Sequence, residues 1–382
     1  MVLYMNGIIL TRSNFFIKYI KLIMFYYYIM FSPIIVKDNN TKNIFINDCK
    51  KMYDNKDKSF YGIDFEYNMK NKKRVISLMQ VILINDSSKY DDIDYHKPIY
   101  VLDPMSFNKN DMDLLIKYVF CSYSIKIFHG SDSLDYQYIY EDIIKDKNQF
   151  MKFINTSVDT RFLCEISKRI MSRNDNKVTK KCSIYNALLD HNIIDKKLFD
   201  KLEKLSSKIN YNKEWNINSL TQVQLFYSVY DVYYLYDLLS VITRNVVTVN
   251  KIIKTDLISL INRLYRFNML NKFGIINLSD ICKKKIVKIN NENINDKIME
   301  TPLMKIKYNK KDVTIYVEDI LSLDTIRKNI MYCLIYYYIN NDAIEEFKKN
   351  KYFMYMKGFE SVLELMKSIG KKSSSRISCN NT

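Results

Sequence analysis

The segment spanning residues 61–68 reads Tyr-Gly-Ile-Asp-Phe-Glu-Tyr-Asn and sets two carboxylates, Asp64 and Glu66, two positions apart in an otherwise apolar run. In a β-strand, residues i and i+2 point to the same face. That spacing places Asp64 and Glu66 side by side, with Ile63 and Phe65 on the opposite face. Two like charges on one face of a core strand repel each other unless a cation lies between them or both reach water. The segment is therefore either an edge strand with solvated acids or the floor of a metal site.

The flanking sequence favours an α/β domain. Pro33–Val36 reads as a short strand, and Thr41–Met52 as a helix with Ile44, Phe45 and Cys49 on one side. Gly62–Phe65 and Val75–Ile84 read as strands joined by the polar stretch Asn68–Lys73, and Ile99–Leu102 as another. Apolar spacing of three and four makes Asp111–Phe120 helical. Ile125–Phe128 is a strand that hands over at His129-Gly130 to a helix from about Leu134, and Asn155–Val158 is a further strand. Residues 160–243 read as helices. The sum is a mixed sheet flanked by helices.

Beyond Val247 the pattern suggests a smaller, mainly helical domain over 250–370, with an amphipathic helix at Lys254–Leu270. Met304–Tyr308 and Val313–Val317 flank a hairpin turn, and Thr325–Ile339 is an apolar helix shorter than a membrane span. The Lys-, Ser- and Asn-rich tail 371–382 is expected to be disordered. At the other end, residues 1–32 are basic and apolar. Lys18 and Lys21 cut the uninterrupted apolar run to Leu22–Phe31, short of the roughly 20 residues a span needs. An extension the fold does not need is the preferred reading, and a membrane anchor over Phe15–Phe31 is its alternative.

Composition excludes several classes. The seven cysteines are scattered with no C-x-x-C pair, which argues against a disulfide framework or structural zinc and for a reducing compartment, cytoplasm or nucleus. No phosphate-binding loop, dinucleotide fingerprint or nucleophile elbow occurs. The net charge of +17 permits a polyanionic partner. It does not demand one, because 32 Tyr with many Lys, Asn and Ile is a skew that an AT-rich genome imposes on any protein.

Three further acids stand out. Asp132 and Asp135 lie where a strand passes into a helix, a usual address for functional groups in an open sheet. Asp135 is better placed, since Ile139 one turn later would bury while the acid stays at the helix start. An ordinary helix N-terminal Asp explains either equally well. Asp231 follows Tyr227 by four, so a helix stacks the two on one face.

Taken together, these residues resemble the RNase D-like, tyrosine-containing (DEDDy) branch of the DEDD 3′–5′ exonucleases, over about Pro33 to Thr243. The strand carrying Asp64 and Glu66, followed by one with Met79-Gln80-Val81, is similar to the family's first motif. Ile127–Asp135 is similar to the second, and Trp215, Leu220, Gln224, Tyr227 and Asp231 to the third. Asp159-Thr160 also fits a family turn. The family places its second-motif acid five residues after the His, where this chain has Leu134, so Asp135 implies a one-residue insertion.

The resemblance implies a ribonuclease H-like exonuclease domain at 33–247. It also implies two divalent cations, Mg²⁺ or Mn²⁺, on Asp64, Glu66, Asp135 and Asp231, with Tyr227 positioning the attacking water. The expected activity is 3′–5′ hydrolysis of single-stranded 3′ ends, RNA favoured over DNA, releasing nucleoside 5′-monophosphates. A catalytically inactive nucleic-acid-binding or scaffold module is the alternative. Gly130, His129, Tyr67, Phe128 and Tyr136 are candidate substrate contacts, the aromatics by stacking on bases. Oligomeric state is not legible.

Overall fold

The structure, a computed structural model, describes residues 33–54, 59–85, 98–131, 134–171, 182–209 and 214–251, with short pieces at 4–5, 8–9 and between 258 and 319. Its centre is the hairpin of β2 (Ser59–Lys70) and β3 (Lys73–Asn85). Both strands exceed their expected spans, because the polar residues after Glu66 continue the ladder to Lys70↔Lys73. The expected turn thereby shrinks to Asn71 and Lys72, both at positive φ (51° and 63°). That is the left-handed pair a tight two-residue hairpin requires, and Asn tolerates it well.

Around the hairpin stand β1 (Ile34–Val36), β4 (Ile99–Leu102), β5 (Ile125–Phe128) and β6 (Ser157–Asp159), in the sheet order β1-β4-β3-β2-β5-β6. Only β3 runs against the others. This mixed sheet flanked by helices, with β2 between an antiparallel hairpin partner and a parallel strand, is the α/β architecture expected from the sequence. From Ile76 to Ile84 all of β3 except Ser77 is buried, as a central strand covered on both faces should be.

The two faces are covered by different helices. Tyr61, Ile63 and Phe65 point toward α1 (Asn39–Asp54) and the segment continuing α2 (Lys109–Leu115), where the Tyr61 hydroxyl donates to the Tyr118 carbonyl at 3.1 Å. The opposite face carries Asp64, Gln80, Leu78 and Val101, beneath α8 (Gln222–Tyr233). Between these lie α3 (Asp135–Tyr138), α4 (Lys147–Asn155), α5 (Thr160–Met171), α6 (Ile184–Asp190) and α7 (Lys196–Ser206). α9 (Leu235–Asn245) follows α8 directly.

Gly62 decides how close α8 and α9 come to the sheet. A Cβ there would meet Ile82 Cγ2 at 2.6 Å and the Val232 carbonyl oxygen at 3.2 Å. The absent side chain lets the α8–α9 junction settle on β2, two residues from Asp64.

After α9, β7 (Val246–Lys251), β8 (Pro302–Tyr308) and β9 (Lys311–Tyr316) form a three-stranded antiparallel sheet, which includes the expected hairpin. Most of 252–301 and all of 320–382 lie outside the described residues, including Thr325–Ile339 and the tail, as does Phe15–Phe31. Of Lys254–Leu270, the described positions Ile261 and Tyr265 are helical and buried. Among the described residues no helix is long and apolar enough to cross a membrane.

Candidate active site

The third motif is built first as structure. Thr221 caps α8, and Gln224 closes the capping box by accepting from the Thr221 amide at 3.1 Å. Trp215 is buried beside Leu78 and Val101 with Tyr227 packed against it, ring centroids 6.3 Å apart. The Asn68 side chain holds the Trp215 backbone from both sides, accepting from its amide at 2.8 Å and donating to its carbonyl at 2.9 Å. These contacts tie the start of α8 to β2 and fix where Tyr227 and Asp231 point.

Asp231 is thereby delivered to the β2 acids. Asp64, Glu66 and Asp231 each offer a carboxylate oxygen within 4.8 Å of the others. They line an open cleft of about 280 Å³ together with Tyr67, His129, Gly130, Asp135 and Tyr227. The ladder slips between Glu66 and Tyr67. Such a bulge breaks the two-residue alternation, so Glu66 and Tyr67 both reach the cleft. Asp135 opens α3 on the facing wall, where the Tyr67 hydroxyl donates to its Oδ1 at 2.6 Å. It stands outside the tight three-acid cluster, on the same cleft. Asp132 lies outside the described residues.

Crowding shows in the proton affinities. Burial pushes the Asp64 carboxyl up to about 7. Glu66 is raised well above the usual carboxylate range by burial, then by the charges of Asp64, Asp231 and Asp135. Asp231 is raised by burial and by Asp64, while hydrogen bonds from Tyr185 and Tyr227 oppose the shift. Such a set is costly to ionise alone and is relieved by a cation.

The donor set fits a divalent cation. All three clustered groups are hard oxygen ligands, the type that suits Mg²⁺ or Mn²⁺ over zinc. Glu66 Oε1 is buried with no hydrogen-bond partner in the protein. Beside it on the sheet, the fully buried Gln80 lies directly opposite Asp64, and both polar atoms of its amide also lack a partner. Unpaired buried polar atoms are rare and costly. A carboxylate floor with such atoms is a surface suited to an ion and its water.

Tyr185 escaped the sequence reading. Its hydroxyl, on α6, donates to Asp231 Oδ1 at 2.9 Å. Burial, then the Asp231 charge, raises its pKa, so the hydroxyl stays protonated as a donor. Asp159, noted only as part of a turn, is the anchor of the second motif. Its buried carboxylate accepts from the amides of Gly130 (3.0 Å), Ser131 (2.9 Å) and Arg161 (2.8 Å), and from the Ser131 hydroxyl at 2.8 Å.

Two expected substrate contacts require correction. Phe128 and Tyr136 are completely buried, packed edge-on against each other and against Phe153, so neither can stack on a base. His129 reaches the cleft, but both ring nitrogens are engaged: Nδ1 lies 2.9 Å from Thr160 Oγ1 and Nε2 2.9 Å from the Cys182 carbonyl. Burial holds its pKa down to about 4, so the ring is neutral and ties β5 to the chain entering α6. Gly130 lines the cleft at φ 84°, and a Cβ there would meet Arg161 Nη1 at 3.1 Å. Tyr67 also lines the cleft, with its hydroxyl committed to Asp135.

No family model matches the chain. An uncharacterised protein, L533 of Acanthamoeba polyphaga mimivirus, is 33% identical over 253 residues, covering 61% of this chain and 47% of the relative. The chain thus spans about half the length of the curated relative it matches. Similar solved structures include Escherichia coli RNase D, an exoribonuclease involved in structured RNA processing (11% identity, 87% of this chain and 74% of that one, TM-score 0.41). Trypanosoma brucei RNase D in complex with GMP is 14% identical over 62% of each chain, at a TM-score of 0.39. The Nibbler EXO domain of Aedes aegypti is 15% identical over 55% of this chain and 86% of that one, at a TM-score of 0.37.

Proposed function

We propose that this protein is a metal-dependent 3′–5′ exonuclease of the tyrosine-containing DEDD type, acting on single-stranded 3′ ends and releasing nucleoside 5′-monophosphates. The observation that carries the reading is the convergence of Asp64, Glu66 and Asp231 within 4.8 Å, on a cleft that also holds Tyr227 and Asp135. Asp64, Glu66, Asp231 and Asp135 would hold two cations of the Mg²⁺ or Mn²⁺ class, which would supply water activation and charge neutralisation at the leaving 3′ oxygen.

The chain's own side chains do the positioning. Tyr227 sits one helical turn before Asp231 and packs against buried Trp215, which keeps its ring in one place. Its hydroxyl, which also hydrogen-bonds Asp231, is suited to orient a water by hydrogen bonding. Tyr185 and Tyr67 each donate a hydrogen bond to one carboxylate oxygen of an acid on the cleft, Asp231 and Asp135. RNA is favoured over DNA on the sequence resemblance.

The test is direct. A 5′-labelled RNA 20-mer with a free 3′ end, incubated with Mn²⁺ or Mg²⁺, should shorten to a ladder from its 3′ end and release 5′-mononucleotides, with EDTA blocking the reaction. Internal cuts, or intact strand with both metals, would sink the proposal.

A further inference from the structure

We propose that the tip of the β2–β3 hairpin is a phosphate-binding arm that grips the strand upstream of the scissile end. The proposal rests on the nucleic-acid reading of the cleft. Lys70, Lys72, Lys73 and Arg74 are four cations in five residues, and Met69 through Arg74 are all exposed. No Asp or Glu occurs between Glu66 and Asp86, and among the described residues no acid pairs with these four. The register sets Lys70 directly opposite Lys73. Like charges facing each other across a ladder destabilise it, an arrangement that a shared anion relieves.

Placement gives the charge its use. β2 runs parallel to β5, and both lead to the cleft, β5 through His129-Gly130 and β2 through Glu66 and Tyr67. Beyond Glu66 the hairpin continues by four residues to Lys70, roughly 13 Å at the usual strand rise. The tip therefore projects past the cleft mouth. It is also held: the paired hydrogen bonds between Asn68 and the Trp215 backbone brace it against the segment that positions Tyr227 and Asp231. A strand whose terminal phosphodiester lies on the acids must leave the cleft, and a braced basic arm beside its mouth suits a polyanion. Phosphate contacts of this kind carry no sequence preference.

The experiment compares wild type with the K70Q/K72Q/K73Q/R74Q variant. Binding of a fluorescein-labelled RNA 20-mer is measured by anisotropy in EDTA across a KCl series. Hydrolysis of the same strand is measured beside that of the p-nitrophenyl ester of thymidine 5′-monophosphate, which is too small to reach the arm. The variant should bind the 20-mer at least tenfold more weakly near 0.1 M salt. Its log–log salt slope should fall by up to about 3, given ~0.7 per single-strand phosphate contact. KM for the strand should rise while kcat and ester hydrolysis stay unchanged. Unchanged 20-mer affinity and salt slope would overturn the arm, as would equal loss on the strand and the ester. A wild type that binds RNA through the arm but hydrolyses neither substrate would sink the exonuclease reading alone.

Discussion

Replacing Asp64 by asparagine keeps the shape of the side chain and removes one charge from the floor of the cleft. Two full charges up to 4.8 Å apart repel by about 3–4 kcal/mol at an effective dielectric near 20. Proton uptake limits what the metal-free protein pays. With its pKa pushed up to about 7, folded Asp64 binds its proton more tightly than the unfolded residue near about 3.9. Its contribution to stability is fully present below about pH 4 and is lost as pH rises through 7. At about 1.4 kcal/mol per pH unit the ceiling is roughly 4 kcal/mol. Water in the cleft screens the charge, and about 2 kcal/mol is the working figure. In EDTA at pH 8, Asp64→Asn should therefore melt about 4–8 °C above wild type. The gain should shrink to nothing by pH 4. With saturating Mn²⁺ the order should reverse, because only wild type has the full ligand set and gains from binding. Thermal melts of both proteins over pH 4–8, with and without Mn²⁺, read all of this. A variant that melts below wild type in EDTA by the same margin at every pH would refute the crowded-acid reasoning.

Tyr227→Phe keeps the ring packing against Trp215 but removes a hydrogen bond to Asp231, so it should lower kcat by about 10-fold or more and also weaken Mn²⁺ activation, read from the metal titration of activity. Tyr185→Phe removes the 2.9 Å hydrogen bond to Asp231; a charge-assisted bond of about 1.5–3 kcal/mol implies roughly 10- to 100-fold weaker Mn²⁺ activation, read from the metal titration of activity. Gly62→Ala must move Ile82 or the Val232 carbonyl, and urea unfolding should show about 1–3 kcal/mol of destabilisation.

The sheet was legible because its strands are apolar runs bounded by turns, and β4 and β5 fall at their expected residues, Ile99–Leu102 and Ile125–Phe128. The hairpin's reach was not. Its outer half is polar and basic, so residues 68–73 read as a loop although they continue the ladder. Asp64, Glu66 and Asp231 stood out by spacing and motif, and the fold brings them within 4.8 Å of one another; the D-x-E pair alone fitted a solvated edge strand equally well. Tyr185 carried no such signal, being one of 32 tyrosines with no spacing relation to Asp231. Phe128 and Tyr136 misled for a physical reason. Residues at a strand end and in the first helical turn can face either way, and here both face the aromatic cluster around Phe153 and Tyr265. The unpaired amide of Gln80 appears only when the register sets it opposite Asp64.

The central claim is that the acid cluster holds catalytic metal. Anomalous diffraction from a crystal soaked in Mn²⁺ addresses it most directly. Two peaks about 3.5–4 Å apart, both touching Asp64, with Glu66 and Asp231 on one and Asp135 on the other, are the expected result. Crystals saturated with Mn²⁺ whose cleft shows no peak at Asp64, while the acids keep their positions, would contradict it.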